Sequence, residues 1–346
     1  MNCHEQFKPV AAMVVVNFAL AMVNVFLKKI IDEGTSHLVI VAYRQLISAI
    51  FVAPIAYFWE RKNRPKLTVQ ILCQLFFSAL LGVTLAQYLF LLGLEYTSAT
   101  FSCAFLNVVP VMTFLLALPF RLEKVNMKSF SGRAKVVGAL FCIGGAVVLT
   151  LYMGKPLTNP NHLIEQSHMT SSRNKTERWA IGSIFLIAGC VGWASWFLMQ
   201  AWIGKRYPCQ CSSTAILSSF AAIQSAILSI IIKRNPSGWF LKGYLEITSI
   251  LYAGIVGSGL CYVGMSWSVK RRGPVFTSAL TPLIQIFVAM FDFSILHEPL
   301  YSGSVVGSIL VIIGLYILLW GKKQTQVAQQ DEQCNGVSHV IPITTD

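Results

Sequence analysis

Charged residues are scarce in this chain of 346 residues. They make up 12% of the sequence, about half of the share that is usual in soluble domains. Hydrophobic residues make up 55%, and the mean hydropathy is +0.63. These values exclude an ordinary soluble protein and indicate a polytopic membrane protein, in which each apolar run of about 20 residues crosses roughly 30 Å of hydrocarbon.

Acidic residues are the scarcer of the two charge signs, which leaves a formal net charge of +13. A strongly basic balance is one mark of nucleic-acid binding. Here, however, the Lys and Arg residues occur in short clusters between the apolar runs, as is typical of charges that flank membrane spans. We therefore expect a lipid bilayer and a small-molecule substrate as partners, and no nucleic acid.

Motifs for ATP hydrolysis, catalysis and metal binding are also missing. No Walker A spacing occurs, because no glycine stands five residues before a Gly-Lys pair. Cys209-Gln-Cys211 is too closely spaced for a CxxC site, and five of the nine cysteines lie inside apolar runs. The sequence thus predicts no catalytic residue, no metal and no cofactor. The sequence lacks the residues that an intramembrane enzyme or a channel would require, whereas a scaffold or receptor without transport stays open as an alternative.

The apolar runs also lack an obvious group for proton coupling, which is usually a carboxylate or histidine buried at mid-depth. All six histidines fall in loops, tails or span ends, and Glu95, Asp292 and Glu298 lie toward the ends of their helices. This pattern favours a bidirectional facilitator that works by alternating access. Asp292 is the best candidate for a coupling residue, and a proton-coupled metabolite exporter is an alternative.

Ten apolar runs are long enough to be membrane spans, at residues 10–28, 38–59, 70–93, 98–120, 134–153, 179–201, 213–232, 246–268, 274–296 and 302–320. They divide the chain into five parts. These are a cytosolic N-terminus (1–9), a first five-span repeat (10–153), a non-cytoplasmic connector (154–178), a second five-span repeat (179–320) and a disordered cytosolic tail (321–346).

The basic residues predict the orientation of these spans. With the N-terminus in the cytoplasm, seventeen Lys and Arg residues fall on the cytoplasmic side and nine on the other. The positive-inside rule therefore places both termini in the cytoplasm. The sequon at Asn174 then lies in the non-cytoplasmic connector, where it is available for glycosylation. The plasma membrane is the preferred location, and the vacuolar membrane is the alternative.

Similar residues recur in the two halves at a nearly constant offset, which is 172 residues for the prolines and 174 for the tyrosines. The matching residues are Pro110 with Pro282, Tyr88 with Tyr262, and Gly138 and Gly145 with Gly307 and Gly314. Repeats with an odd number of spans lie upside down to each other in the membrane. The predicted fold class is an all-α polytopic membrane protein, with ten transmembrane helices arranged as two inverted five-helix repeats.

Two tryptophans lie in the middle of a span rather than at its ends. Trp193 and Trp196 are about one helical turn apart in the sixth span, and Gln200 lies one turn further along the same face. One interpretation is that they form an aromatic wall of a central cavity. The other is that they pack tightly beside the small residues Gly189 and Gly192.

Amide and hydroxyl side chains inside the apolar runs are further candidates. Asn17 and Asn24 share one face of the first span, and two amides in hydrocarbon need partners. These partners are either a polar substrate or other helices. The same two interpretations apply to the remaining polar residues near mid-depth, which are Gln87, Tyr88, Asn107 and Gln285.

Arg44 is the one basic residue well inside a span. Its guanidinium is suited to bind a substrate carboxylate through two parallel N–H donors. The alternative is that the side chain extends to the nearby outer surface.

Proline and glycine mark places where helices bend or approach closely. Pro110 and Pro282 are predicted to break helices near mid-depth, where they free backbone carbonyls and allow flexing during transport, or else form static kinks. Gly303, Gly307 and Gly314 form a small-residue stripe on the last span. The stripe is compatible with a homodimer, and packing inside the bundle is the alternative.

Four stretches of the chain resemble a known family in both content and order. They are Lys8-Pro9, Val41-Ala42-Tyr43-Arg44, the run from Glu60 to Leu67, and the run from Gly273 to Pro299. In these stretches, the chain resembles the plant nodulin-21-like, walls-are-thin-related transporters. These proteins, also called UMAMIT, are EamA-type members of the drug/metabolite transporter superfamily.

The resemblance covers residues 8 to about 322. It implies a ten-helix inverted-repeat carrier, with amino acids as the usual substrate class and auxin for a relative. We therefore predict a transmembrane transporter of amino acids or related small organic metabolites. The alternative is an auxin or indole-type carrier at the vacuolar membrane.

Overall fold

The computed structural model describes residues 3–32, 35–62, 64–97, 102, 105–120, 122, 129–151, 172–232, 239, 243–291 and 302–338. Within these residues the chain is almost wholly helical, and no β-strand occurs. The helices are α1 (Cys3–Asp32), α2 (His37–Glu60), α3 (Val69–Tyr96), α4 (Leu106–Ala117), α5 (Phe130–Leu151), α6 (Ser172–Arg206), α7 (Gln210–Ile232), α8 (Tyr244–Arg272), α9 (Pro274–Ala279), α10 (Leu283–Phe291) and α11 (Ser302–Ser338).

Long apolar segments dominate the described part of the chain. Six of them are long and apolar enough to cross a membrane, namely Lys8–Ile31, His37–Glu60, Val69–Tyr96, Ala180–Arg206, Gln210–Ile232 and Tyr244–Arg272. Shorter apolar helical segments are Leu106–Ala117, Pro274–Val288 and Val305–Gly321. The predicted multi-pass integral membrane protein is therefore confirmed, whereas the count of ten spans stays a prediction.

Two helix ends differ from the predicted boundaries. The helix α6 begins at Ser172, so that the backbone of the Asn174 sequon is helical rather than part of an irregular connector. The helix α11 continues to Ser338, although residues 321–346 are predicted to be disordered. Its continuation is rich in Gln, which is a good helix former, so the helix extends beyond the apolar span. Asp292 and the side chain of Asn174 lie outside the described residues.

The two prolines that are predicted to break helices both lie at irregular places in the helical structure. Pro110 is the second residue of the α-helical part of α4 (Val109–Ala117), directly after the 3₁₀ turn at Leu106–Val108 with which α4 begins. Proline is tolerated there because the missing N–H has no intrahelical partner to lose. Pro282 lies in the turn between α9 and α10. Helix geometry thus changes directly before Pro110 and is interrupted at Pro282, and flexing at either proline during transport stays a prediction.

Two helices each contain a stretch of π-helix. It covers Leu80–Leu85 in α3 and Ala253–Leu260 in α8. These stretches begin 173 residues apart, close to the offset that separates the matched prolines. A π-helical stretch inserts an extra residue into the turn, reorients the side chains that follow, and is frequent at functional sites.

The helices α5 and α11 pack backbone to backbone through their matched glycines. A Cβ atom at Gly138 would lie 2.7 Å from the carbonyl oxygen of Gly314, and one at Gly145 would lie 3.0 Å from that of Gly307. No side chain fits at such distances. Gly307 and Gly314 of the last span are therefore used inside the chain, and the homodimer stays an untested prediction.

Helices of the two predicted halves also pack across each other at other places. The helix α1 contacts α10, while α6 contacts α4 and α3. The helices α2 and α7 pack along their length through small side chains, and the hydroxyl oxygens of Ser48 and Ser218 lie 3.0 Å apart there. This arrangement leaves a space between α1, α3, α6 and α10.

Candidate functional site

A cavity of about 340 Å³ occupies the space between α1, α3, α6 and α10. It extends toward the end of the bundle at which α1 ends and α8 begins, and we call this end the cavity end. Its wall is mostly apolar and contains the aromatic rings of Phe26, Phe90, Trp193 and Phe291. The polar side chains in the wall are Asn24, Lys28, Lys29, Arg44, Gln87 and Thr281.

Arg44 places a buried positive charge in this wall. The residue is only 7% exposed, and its Nε donates a hydrogen bond of 2.7 Å to Ser258 Oγ in the π-helical stretch of α8. The adjacent Gly257 makes room for the guanidinium, since a Cβ atom there would lie 3.3 Å from Nη2. None of the described wall residues is Asp or Glu. A buried cation without an opposite charge is costly, so this site is suited to an anionic ligand.

Two glutamines extend the polar group around Arg44. Gln45 Nε2 donates to Ser258 Oγ over 3.2 Å and to Gln87 Oε1 over 3.4 Å. Gln87 in turn donates through Nε2 to the hydroxyl of Tyr262. All of these side chains are buried, and they come from α2, α3 and α8. A connected network of this kind holds its members in one orientation.

The two mid-span tryptophans have different surroundings. Trp193 is half-buried and lines the cavity. Trp196 is 2% exposed and packs against Gly82, where a Cβ atom would lie 2.5 Å from the Cβ of Trp196. Both rings contact the ring of Tyr262, with centroid distances of 6.1 Å and 5.2 Å. The cavity wall thus contains Trp193, and tight helix packing accounts for Trp196.

The other predicted amides bond to neighbouring helices. Asn17 Nδ2 donates over 2.6 Å to the carbonyl oxygen of Leu280, at the break between α9 and α10. Asn107 Nδ2 donates to Gln285 Oε1. Gln200 accepts a hydrogen bond of 3.2 Å from a serine of α8. Each of these bonds satisfies a polar group in an apolar environment and joins two helices.

The described wall of the cavity contains four of the predicted substrate-binding residues, namely Asn24, Arg44, Gln87 and Trp193. The predicted residues outside the described wall are Asn17, Tyr88, Asn107, Trp196, Gln200 and Gln285. Substrate contact by these six stays a prediction.

Sequence reasoning missed the residues that hold Arg44 and Gln87. Ser258 stands between Gly257 and Gly259, and glycines on both sides of a serine inside an apolar helix are a signal of unusual helix geometry. Gln45 directly follows Arg44 and gives no such signal. Consecutive residues point about 100° apart on a helix, and only the packing shows that both reach Ser258.

This arrangement is suited to binding rather than to bond-breaking chemistry. The guanidinium of Arg44 can bind a carboxylate through two N–H groups. Asn24 and Gln87 offer neutral hydrogen bonds nearby, and the aromatic rings can cover an apolar body. Within the described residues, no group of three or more His, Cys, Asp or Glu side chains is placed to hold a metal ion.

Comparisons with known proteins identify the family of this chain. The profile of the EamA-like transporter family matches residues 7–151 and, a second time, residues 180–320. WAT1-related protein At3g30340 from Arabidopsis thaliana is 53% identical over 94% of this chain and 90% of that protein. WAT1-related protein At4g01440 from the same plant is 51% identical over 96% of this chain and 90% of that protein.

A similar fold is also found in a solved crystal structure. Its TM-score is 0.63, and the match covers 89% of this chain and 98% of the other. Because the two sequences are 15% identical, the likeness shows the fold alone.

Proposed function

Because this chain belongs to the EamA-like transporter family, a family of membrane transporters, we propose that it carries small organic acids, including amino acids, by alternating access. The observation that carries this proposal is Arg44. It is a buried cation in the wall of a cavity whose described residues include no carboxylate. A carboxylate substrate would supply the missing charge, and a substrate without one would leave the guanidinium uncompensated.

The proposed mechanism has two inverted five-helix repeats that move against each other. Three observations support this arrangement: the family profile matches the chain twice, π-helical stretches recur in α3 and α8, and α1 packs on α10 as α6 packs on α4. Inverted repeats around a central site are the usual basis of alternating access. In this arrangement both termini are cytoplasmic, and the cavity end faces the non-cytoplasmic side of the plasma membrane.

Indole-type acids are the second candidate substrates, with the vacuolar membrane as the alternative location. The aromatic rings of Phe26, Phe90, Trp193 and Phe291 favour a flat apolar body. The described wall also offers no acidic side chain for the ammonium group of an amino acid. Asn24 and Gln87 can accept hydrogen bonds from that ammonium group, and we therefore keep amino acids as the first candidates.

The test is flux into and out of proteoliposomes that contain the full-length chain. Labelled amino acids and indole-3-acetic acid are each compared at two pH values with their amides, which lack the carboxylate. We expect transport of acids in both directions, no transport of amides, and no dependence on a proton gradient. Arg44→Lys should abolish most of the flux, because an ammonium group lacks the planar pair of donors. Arg61→Lys, at the exposed end of α2, is the control.

The outcomes separate the candidates. Transport of acids and amides at equal rates would contradict the role of Arg44. Flux of the indole acid alone would select the second candidate. Flux that stops when the proton gradient is removed would contradict the facilitator and would make Asp292 the next residue to change.

A further inference from the structure

The end of the bundle opposite the cavity end has a set of bonds that substrate binding does not use. Glu60 is the last residue of α2, and its carboxylate accepts hydrogen bonds from the backbone N–H groups of Cys211 over 2.9 Å and Ser212 over 2.7 Å. Arg64 Nε donates over 2.7 Å to the hydroxyl of Tyr207. Each bond joins the first region matched by the family profile to the second.

Glu60 is poorly placed for its own helix but well placed for α7. An acidic side chain at the C-terminus of a helix opposes the helix dipole. At the N-terminus of α7, by contrast, free N–H groups and the dipole both favour a carboxylate. Tyr207 is 1% exposed, so a buried ring presents its hydroxyl to the exposed side chain of Arg64. These positions are explained by contact between the two halves.

We propose that Glu60, Arg64 and Tyr207 form a latch that closes the end opposite the cavity end. The described residues of the cavity wall lie between the middle of the helices and the cavity end, while the latch lies at the other end. The latch therefore has to open before a substrate can reach the cavity from the end of the bundle at which the latch lies. This inference rests on the proposed alternating access, and it assigns a function to the Glu60–Leu67 stretch.

Cys209 is a native reporter of the latch. It lies between Tyr207 and Cys211, and it is 5% exposed. Burial raises the pKa of its thiol, the Glu60 carboxylate raises that pKa further, and the Arg64 guanidinium lowers it. Loss of the Arg64 charge would by electrostatics alone slow the reaction with a maleimide, because the thiolate is the reactive form. Opening of the latch would speed that reaction, so the two effects have opposite signs.

The experiment measures labelling of the full-length chain in proteoliposomes by membrane-permeant N-ethylmaleimide, with peptide mass spectrometry for each cysteine. We expect N-ethylmaleimide to label Cys209 several-fold faster in the Arg64→Gln and Tyr207→Phe variants than in the unmodified chain. Arg61→Gln removes a neighbouring exposed charge outside the latch, and it should leave the rate unchanged. The exposed Cys73 serves as the internal standard.

Unchanged or slower labelling of Cys209 in both latch variants would overturn the proposal. Labelling of the buried Cys142 and Cys190 would reveal a variant that has lost its fold. If the Arg64→Gln variant loses its fold, the Tyr207→Phe variant alone tests the latch, because this substitution removes one oxygen atom and keeps the ring. The labelling needs no substrate, so failure of the latch is read separately from failure of the proposed transport, which is measured as flux.

Discussion

Arg44 and Ser258 are joined by a hydrogen bond of 2.7 Å although they lie 214 residues apart in the chain. Arg44 belongs to the first region matched by the family profile and Ser258 to the second. The cation that faces the cavity is thus held by a helix of the other half. A relative movement of the two halves would therefore also change the orientation of the guanidinium.

The first prediction concerns this bond. Ser258→Ala should raise the KM for a carboxylate substrate about tenfold, the effect of losing one hydrogen bond to a charged group. The maximal flux should change less, because the charge of Arg44 remains. Flux measured over a range of substrate concentrations gives both values. The control is Ser229→Ala, since Ser229 Oγ is equally buried but has no hydrogen-bond partner; an equal effect in both variants would contradict the prediction.

The second prediction separates the two tryptophans. Trp193→Ala removes part of the cavity wall, and we expect it to lower flux at an unchanged melting temperature. Trp196→Ala leaves a hole in packed helices, and we expect a loss of stability of about 3 kcal/mol. Flux assays and thermal unfolding in detergent test both variants. A stable Trp196→Ala variant with reduced flux would instead place Trp196 in contact with substrate.

The third prediction concerns the amide pair Asn107 and Gln285. Both side chains are buried and bond to each other between α4 and α10. A double-mutant cycle with Asn107→Leu and Gln285→Leu should give a coupling free energy of about 0.6 kcal/mol, the average for such bonds in membranes. Unfolding measured in micelles supplies the four stabilities. A coupling near zero, combined with loss of flux in each single variant, would favour substrate binding by these amides.

The fourth prediction uses two glycines of the same helix. A Cβ atom at Gly138 would lie 2.6 Å from a backbone nitrogen of α11, whereas one at Gly144 would meet nothing within 4 Å. Gly138→Ala should therefore separate α5 from α11 and destabilise the chain by about 1–3 kcal/mol. Gly144→Ala should be neutral or slightly stabilising, because alanine favours the helix. Similar melting temperatures for the two variants would show that α5 and α11 do not pack as described.

The membrane class and the family could be predicted from the sequence because they depend on local properties. The length of an apolar run decides whether a segment can cross the bilayer, whatever its neighbours are. The sequence matched Gly138 with Gly307 and Gly145 with Gly314 as repeat positions. In the structure these glycines do meet, but in crossed order, since Gly138 faces Gly314 and Gly145 faces Gly307. The family resemblance of the quoted stretches is confirmed by the family profile and the relatives.

The tertiary structure decided which polar and aromatic side chains reach the cavity. A membrane helix that is apolar on every side carries little information about the direction in which it faces, so Trp193 and Trp196 look alike in the sequence although only Trp193 is in the wall. The partner of Arg44 was hidden for a related reason, because Ser258 meets Arg44 and Gln45 only after α2 and α8 pack. Sequence thus determined that these helices form and enter a bilayer, and packing determined their rotation, because a hydrocarbon solvent gives no face of an apolar helix a strong preference.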